Sequence, residues 1–309
     1  MTDRLDPGRP VTHEGMQATR EIKDVQDKIA FGDSLEHLEW DGIRELDYPP
    51  PRWWVLTFIG TILFAALWMV LYPSWPTPFG TWRGVLGYDQ REVVAEDVAR
   101  AEEARAPLVG AIGAAELAGI QSDPGLMNYA LRGGQVAFNN NCAQCHALGG
   151  AGQGFFPSLA DDNWIWGGTP EQIEYTIRHG IRNGGDEARD NIMPNFGADQ
   201  ILTREQIQDV TEYVLSLTGR SRSAEAAERG ATLYAENCAA CHGEGGAGLQ
   251  ELGGPRLNDA IWLYGGDRNS VFNQIYRPKL GVMPAFGERL DDATIKMLVL
   301  YVHSLGGGQ

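Results

Sequence analysis

Cysteine is scarce in this chain, with four residues among 309. A disulfide-stabilised scaffold needs denser and more scattered cysteines, so that class is excluded. Basic residues are also in the minority, with 25 Lys and Arg against 41 Asp and Glu, and no segment resembles a nucleic-acid-binding arm. The acidity favours basic or mixed-charge partners, although a role in solubility alone explains it equally well.

Long apolar runs are absent except for one, residues 53–72, which contains no charged residue. As a helix it spans about 30 Å, the thickness of a bilayer core. Trp53 and Trp54 open the run, Trp68 and Tyr72 lie near its end, and prolines flank both sides. A cleaved signal peptide is the alternative, but a charged tail of 52 residues precedes the run and no small-residue cleavage site follows it. The pattern therefore predicts a transmembrane helix.

An internal repeat fills the second part of the chain. Its landmarks recur in the same order: a glycine expected just before a helix, CxxCH, a Trp-containing loop, MPxFG and a closing helix. The joint between the copies is TGRSRSAEA, residues 218–226. Ahead of the repeat, residues 92–120 are rich in Ala and Glu and predict a helix interrupted at Pro107. The tail contains a modestly amphipathic stretch, Ile22–Leu38.

The two CxxCH motifs predict covalent haem attachment. On one helical turn, two thiols can each form a thioether with a haem vinyl group while the adjacent imidazole ligates the iron. A zinc ribbon and a thioredoxin-like pair are the alternatives. A zinc ribbon has no obligatory following histidine, and a thioredoxin-like pair needs a βαβ setting that this sequence does not predict. The predicted residues are Cys142, Cys145 and His146, and Cys238, Cys241 and His242.

A haem that carries electrons needs a sixth ligand, and a thioether sulfur favours the reduced iron. Met193 and Met283 lie at the same place in the two MPxFG segments, where Pro and Gly restrict the loop. Core packing is the usual role of a methionine, but the repetition favours ligation. Sequence alone leaves open whether each methionine serves its own repeat or the other.

Several further residues are candidates for supporting roles. Phe138 and Tyr234 are expected to pack behind the haems, and the Trp-loop aromatics to cover the porphyrins or line the contact between lobes. Surface roles are as plausible as propionate binding for five polar residues: Asn163, Asn258, Arg178, Arg182 and Arg277.

These predictions give an all-α fold, with one N-terminal transmembrane helix followed by two tandem cytochrome c domains. Because haem is attached to CxxCH outside the bacterial inner membrane, the N-terminus should be cytoplasmic and the haem domains periplasmic. The expected segments are a cytoplasmic tail 1–52, the span 53–72, a periplasmic linker 73–124, and cytochrome c domains 125–219 and 224–309.

The flanks of the span carry a more specific resemblance. It rests on four motifs that precede the two CxxCH units, namely DGIREL, PPPRWW, YPSWP and GVLGYDQR. With these motifs, the chain resembles the diheme subunit of cbb3-type cytochrome c oxidases, called CcoP or FixP. The resemblance covers the chain from about Asp41 to its end. It implies two covalently bound haems c and electron transfer from a soluble or membrane-bound cytochrome c donor. The implied acceptors are the monohaem subunit and then the catalytic haem b/copper subunit. The resemblance also implies exchange of the axial methionines between domains.

The predicted span contains no histidine, so the chain is expected to have no catalytic centre of its own and to leave oxygen reduction to partners. A free-standing, membrane-tethered diheme carrier is the main alternative. Two further alternatives are the cytochrome subunit of a periplasmic dehydrogenase and a haem-based gas sensor. A sensor needs an open sixth coordination position, and methionine as the sixth ligand argues against it.

Overall fold

The computed structural model describes residues 50–306 and two short strands before them, β1 (Glu39–Trp40) and β2 (Ile43–Arg44), which pair antiparallel. The rest of the tail 1–52, including the stretch Ile22–Leu38, lies outside the described residues. The chain divides into two compact units, residues 1–96 and residues 97–309.

The predicted span is one continuous helix, α1 (Arg52–Leu71), none of whose residues is buried. Within the described residues, only this helix has the length and apolar composition needed to cross a membrane. A small hairpin follows, formed by β3 (Pro76–Thr77) and β4 (Gly80–Thr81). Beyond it, the backbone N–H of Val85 donates to the carbonyl of Val70, so the chain folds back onto the end of the helix.

The remaining described elements are helices. They are α2 (Gln90–Ala114), α3 (Leu117–Ser122), α4 (Pro124–Asn141), α5 (Ala143–His146), α6 (Pro170–His179), α7 (Arg204–Ser216), α8 (Ala224–Asn237), α9 (Ala239–His242), α10 (Arg268–Tyr276) and α11 (Asp292–Ser304), with 3₁₀ turns at Leu148–Gly150, Glu244–Gly246 and Gln250–Leu252. The all-α expectation is confirmed for the part of the chain that these elements cover.

Helix α2 passes through Pro107 without a break, so the interruption expected there is wrong. Proline removes one backbone N–H from the helix and leaves the carbonyl of Glu103 without that donor. Both residues are exposed, and water can satisfy the carbonyl.

The buried residues form two separate cores, and each core contains residues of both repeats. The first core combines α4 and α6 of the first repeat with Phe286 and α11 of the second, and it extends back to Ile112 in α2 and Ile120 in α3. The second core combines Phe196 and α7 of the first repeat with α8 and α10 of the second. The closing helix of each repeat therefore packs on the opening helix of the other. The expected segments 73–124, 125–219 and 224–309 follow the sequence repeat and stay predictions. The two cores do not divide the chain at these boundaries, since each core contains residues of both repeats.

Each of these helix pairs crosses at a glycine. A Cβ on Gly134 in α4 would lie 2.1 Å from the carbonyl oxygen of Met297, and one on Gly230 in α8 would lie 2.0 Å from that of Asp209. These are the landmark glycines of the repeat. They lie inside helices rather than before them, because the lack of a side chain lets two backbones approach closely.

Aromatic pairs pack beside both crossings. The ring centroids of Phe138 and Tyr301 are 5.4 Å apart, and those of Tyr234 and Tyr213 are 4.8 Å apart. Phe138 and Tyr234 are buried, as predicted. Both pairs join helices from different repeats and contribute to holding the cores together.

Candidate functional site: two CxxCH turns and two methionine loops

Each CxxCH motif forms a single helical turn at the end of a long helix. In the first, the N–H groups of Cys145 and His146 both donate to the carbonyl of Cys142, at 3.1 and 2.9 Å. In the second, Cys241 and His242 donate to Cys238 at the same two distances. Both thiols and the imidazole of each motif thus share one turn, as covalent haem attachment requires.

A proline carbonyl orients each candidate histidine ligand. The Nδ1 atom of His146 is 2.9 Å from the oxygen of Pro157, and that of His242 is 3.0 Å from the oxygen of Pro255. An Nδ1–H donated to this carbonyl leaves Nε2 as the unprotonated atom that can bind iron. Burial lowers the pKa of both histidines, although these hydrogen bonds oppose the shift. Burial therefore favours the neutral imidazole, which is the ligating form.

The four cysteines differ in exposure: Cys238 is buried, Cys142 and Cys241 are half-buried, and Cys145 is exposed. Burial raises the pKa of Cys142 to about 11 and that of Cys238 to about 11, with a smaller contribution from the second cysteine of each motif. These thiols are protonated at neutral pH and are not activated as redox nucleophiles. This environment suits a structural attachment point better than a thioredoxin-like reactive pair.

The residue after each histidine has a positive φ. Ala147 adopts φ 60° and ψ 171°, and Gly243 adopts φ 73° and ψ 163°. The chain then reverses so that the N–H of Gly152 donates to the carbonyl of His146, and that of Gly248 to His242. The conformation at Ala147 is one that glycine adopts far more easily, so the first motif carries a local backbone cost that the second avoids.

The two methionines pack on the cores of the opposite motifs. Met283, from the second repeat, packs against the first core together with Cys142 and Ala143. Met193, from the first repeat, packs against the second core, which contains Cys238. Both methionines are partly buried. Each core therefore contacts the start of one CxxCH turn from one repeat and one candidate methionine ligand from the other.

Backbone hydrogen bonds secure both methionine loops to the other repeat. Phe286 and Gly287 donate to the carbonyls of Ile177 and Arg178, at 3.0 Å each. Gly197 and Ala198 both donate to the carbonyl of Tyr276, at 3.2 and 3.1 Å. The end of α6 holds the MPAFG loop, and the end of α10 holds the MPNFG loop.

The Trp-containing loops lie near the same cores. Trp164 packs against the first core and Trp262 against the second. The indole N–H of Trp262 donates to the carbonyl of Asp259, whereas that of Trp164 is buried without a hydrogen-bond partner. Trp166 lies against Gly253 of the other repeat, and the ring of Tyr264 is 5.7 Å from that of Phe155. These aromatics thus divide between the cores and the contact between repeats.

Four of the five polar residues considered for propionate binding have other side-chain partners, and the fifth, Arg277, is exposed. Arg178 pairs with Glu174 and Asp292, each at 2.8 Å. The Nδ2 of Asn258 donates to the carbonyl of Gly245, and that of Asn163 is 3.5 Å from a carboxylate oxygen of Asp259.

Arg182 bonds to two backbone carbonyls, Gly281 and Asn191, just before the methionines. Sequence reasoning missed this bridging position because nothing in the local pattern around Arg182 shows which loops lie opposite it.

Comparison with known proteins accounts for most of the chain. Residues 32–78 match the N-terminal domain of cytochrome oxidase-cbb3, FixP. Residues 130–218 match cytochrome c, and residues 225–302 match the cbb3-type cytochrome c oxidase subunit III. The order of these matches is that of the span and the two repeats.

Whole-chain relatives decide the family. A cbb3-type cytochrome c oxidase subunit CcoP from Cereibacter sphaeroides is 46% identical over 271 residues, covering 87% of this chain and 93% of that protein. The chain belongs to the CcoP/FixP family. A CcoP from Azospirillum brasilense is 48% identical, covering 88% of this chain and 94% of that protein. A FixP from Azorhizobium caulinodans is 47% identical, covering 91% and 95%. The CcoP/FixP resemblance predicted from the flanks of the span is confirmed.

Proposed function

We propose that this chain is the diheme electron-transfer subunit of a cbb3-type oxidase, and that it passes electrons from a c-type cytochrome toward the subunit that reduces oxygen. One observation carries the proposal: each CxxCH turn shares a core with a methionine loop of the opposite repeat. Membership of the CcoP/FixP family supports the same function.

The proposed ligands follow from this sharing. Cys142 and Cys145 would attach one haem c, and His146 and Met283 would ligate its iron. Cys238 and Cys241 would attach the other, and His242 and Met193 would ligate its iron. The donor sets fit the group, since each offers two thiols on one turn, an imidazole with Nε2 left for iron, and a thioether on a restrained loop. Each methionine would thus serve the haem of the opposite repeat.

When bound, each haem supplies a one-electron couple whose potential a thioether ligand raises. The protein's own groups hold that site rigidly. The carbonyls of Pro157 and Pro255 fix the imidazole orientation, and the ends of α6 and α10 fix the methionine loops. A fixed ligand geometry in both oxidation states reduces the rearrangement that accompanies electron transfer.

The membrane helix and membership of the family support a proposal for the location and partners of the chain. α1 anchors the chain in the bacterial inner membrane, with the N-terminus cytoplasmic and both haem domains periplasmic. The partners are the monohaem cytochrome c subunit, the catalytic haem b/copper subunit and a soluble or membrane-bound cytochrome c donor. The span lacks histidine, so oxygen chemistry is assigned to the partners.

Gentle solubilisation of native membranes and capture of this chain test the function. We expect haem b and oxygen uptake to copurify with two haems c, and reduced-minus-oxidised spectra with carbon monoxide to report a reactive partner haem. Recovery of c-type haem alone, without oxygen uptake, would instead support a free-standing tethered carrier.

The exchange of ligands needs a separate experiment. A Cys142→Ser/Cys145→Ser variant should retain only the haem at Cys238 and Cys241. In that background, Met193→Ala should abolish the methionine–iron charge-transfer band, while Met283→Ala should leave it intact. The reverse result would mean that each methionine serves its own repeat. Met127→Leu, a change in α4, is the matched control for losing a methionine.

A further inference from the structure

Arg182 lies between the two methionine loops. Its Nε donates to the carbonyl of Gly281 at 2.8 Å, and its Nη1 donates to the carbonyl of Asn191 at 3.2 Å. Gly281 lies two residues before Met283, and Asn191 lies two residues before Met193. One guanidinium group therefore bonds to equivalent positions of both loops.

The backbone around Arg182 is fixed by neighbouring hydrogen bonds. Its own N–H donates to the carbonyl of Arg189 at 2.8 Å. The preceding residue, Ile181, exchanges two backbone hydrogen bonds with Met283, at 3.0 and 2.9 Å. Arg182 has a φ of 49°, a left-handed conformation that costs a non-glycine residue free energy. The surrounding bonds hold it there, so the side chain starts from a defined point.

The guanidinium is half-buried, and burial lowers the pKa of Arg182 while nearby Tyr264 opposes the shift. An arginine nevertheless stays protonated at neutral pH. Hydrogen bonds from a charged donor are stronger than neutral ones, and the planar fork of arginine can direct two bonds at once. Lysine at the same place would keep the charge but lose this fixed geometry.

We propose that Arg182 is a positioning residue that holds both methionine loops against their cores, and so stabilises methionine ligation at both haems. The inference rests on the ligand set given under Proposed function. It adds a physical link between the two sites, because a change at one side chain reaches both loops.

The test measures imidazole affinity at each ferric haem of the purified full chain. Imidazole competes with methionine for iron, so a loosened loop gives tighter imidazole binding and earlier loss of the methionine–iron band. For Arg182→Gln we expect affinity to increase by about tenfold at both haems, since a charged hydrogen bond to each loop is lost. Single variants Met193→His and Met283→His assign the two binding phases, because a histidine-ligated haem resists imidazole.

Arg189 provides a matched control. It is also half-buried with a pKa lowered by burial, but its side chain bonds to Thr176 and Gln172 in α6 and stacks on Trp166 and Tyr175. Arg189→Gln removes the same charge and leaves both side-chain bonds to the methionine loops in place. We expect Arg189→Gln to leave imidazole affinity unchanged at both haems. We expect Arg182→Lys to restore the original imidazole affinity at no more than one of the two haems.

An Arg182→Gln effect confined to one haem, an equal effect of Arg189→Gln, or no effect at all would each overturn the proposal. Thermal unfolding of every variant separates loop positioning from general loss of stability. If Met193 and Met283 were not haem ligands, the result would differ from all of these. Substituting either methionine would then leave the methionine–iron band of the full chain unchanged, whatever residue stands at position 182.

Discussion

Met283 and Ile181 form a two-bond antiparallel bridge between the repeats, with the N–H of each residue donating to the carbonyl of the other. The bridge ties a candidate ligand of the second repeat to the residue just before Arg182 in the first. The side chain of Asn183 adds a further bond to the same Met283 carbonyl, at 3.1 Å. The position of this methionine is thus set by contacts outside its own repeat.

The glycines at the helix crossings should not tolerate a side chain. We expect Gly134→Ala and Gly230→Ala to lower the free energy of unfolding by about 3 kcal/mol each, because the new Cβ would overlap a backbone carbonyl. Urea denaturation measures the loss. Gly110→Ala in α2 is the control, since no atom lies within 4 Å of its Cβ position and alanine is the better helix former. A stabilised Gly134→Ala variant would contradict the close crossing.

The two residues that follow the histidines should respond in opposite directions to exchange of alanine and glycine. Ala147→Gly should stabilise the protein, because relief of a strained φ, about 1–3 kcal/mol, exceeds the entropy that glycine adds to the unfolded chain. Gly243→Ala should destabilise it, since a Cβ there would also lie 3.0 Å from the oxygen of Gly248. Chemical denaturation of both variants checks the signs. Equal signs would show that Ala147 is not strained.

Glu212 should stabilise the second core through a buried network. Its carboxylate accepts bonds from the hydroxyl of Ser221 and the N–H of Arg222 and pairs with Arg268. We expect Glu212→Gln to cost about 3 kcal/mol, because it leaves the half-buried Arg268 charge without its buried partner. The double variant Glu212→Gln/Arg268→Met should recover part of that loss in denaturation experiments.

A control for Glu212 involves the same helix, α7, which also carries Asp209. Arg229 and Asp209 form an ion pair in which Arg229 is exposed, so Arg229→Gln should change stability little. If it cost as much as Glu212→Gln, burial would not be the reason for the Glu212 effect.

Asp291 should make α11 sensitive to acid. Burial tends to raise its pKa, but bonds from the N–H and hydroxyl of Thr294 outweigh this and leave the pKa below its usual value. A carboxyl group whose pKa is lowered on folding stabilises the folded state at pH values above its unfolded-state pKa of about 4. This contribution is lost as the pH falls through the lowered, folded-state pKa. Asp291→Ala should therefore cost about 1 kcal/mol at pH 7 and progressively less in acid.

Unfolding measured across acid to neutral pH tests this behaviour. Asp291→Asn keeps an oxygen acceptor without a titrating charge, so its stability relative to Asp291→Ala should stay constant with pH. A wild-type advantage over Asp291→Ala that persists unchanged in strong acid would argue against a role for the charge.

Sequence patterns predicted the span, the helical class and the CxxCH turns because each depends on local chemistry. The apolar run of α1 and the spacing of Cys142, Cys145 and His146 carry their information within a few residues. Packing of Phe138 and Tyr234 followed in the same way, from their place on helices that end in the motifs. The ligand roles of these residues and of Met193 and Met283 stay predictions.

The pairing of loops and cores could not be predicted from residue patterns, because the repeats resemble each other. An MPxFG loop fits the α6 end of one repeat and the α10 end of the other, and only long-range contacts decide between them. Sequence also misjudged Pro107, where an exposed helix accommodates the missing N–H, and Gly134, whose role depends on a partner helix more than 150 residues away.

The interleaving of the cores also sets an order of folding for a chain that becomes available from its N-terminus. The buried residues of the second core run from Phe196 to Ile275, a contiguous stretch, whereas those of the first run from Ile112 to Val302. A chain made from its N-terminus can complete the later core first, and domains generally fold as their residues emerge. The earlier CxxCH motif must wait for α11, which follows every residue of the second core, before its own core is closed.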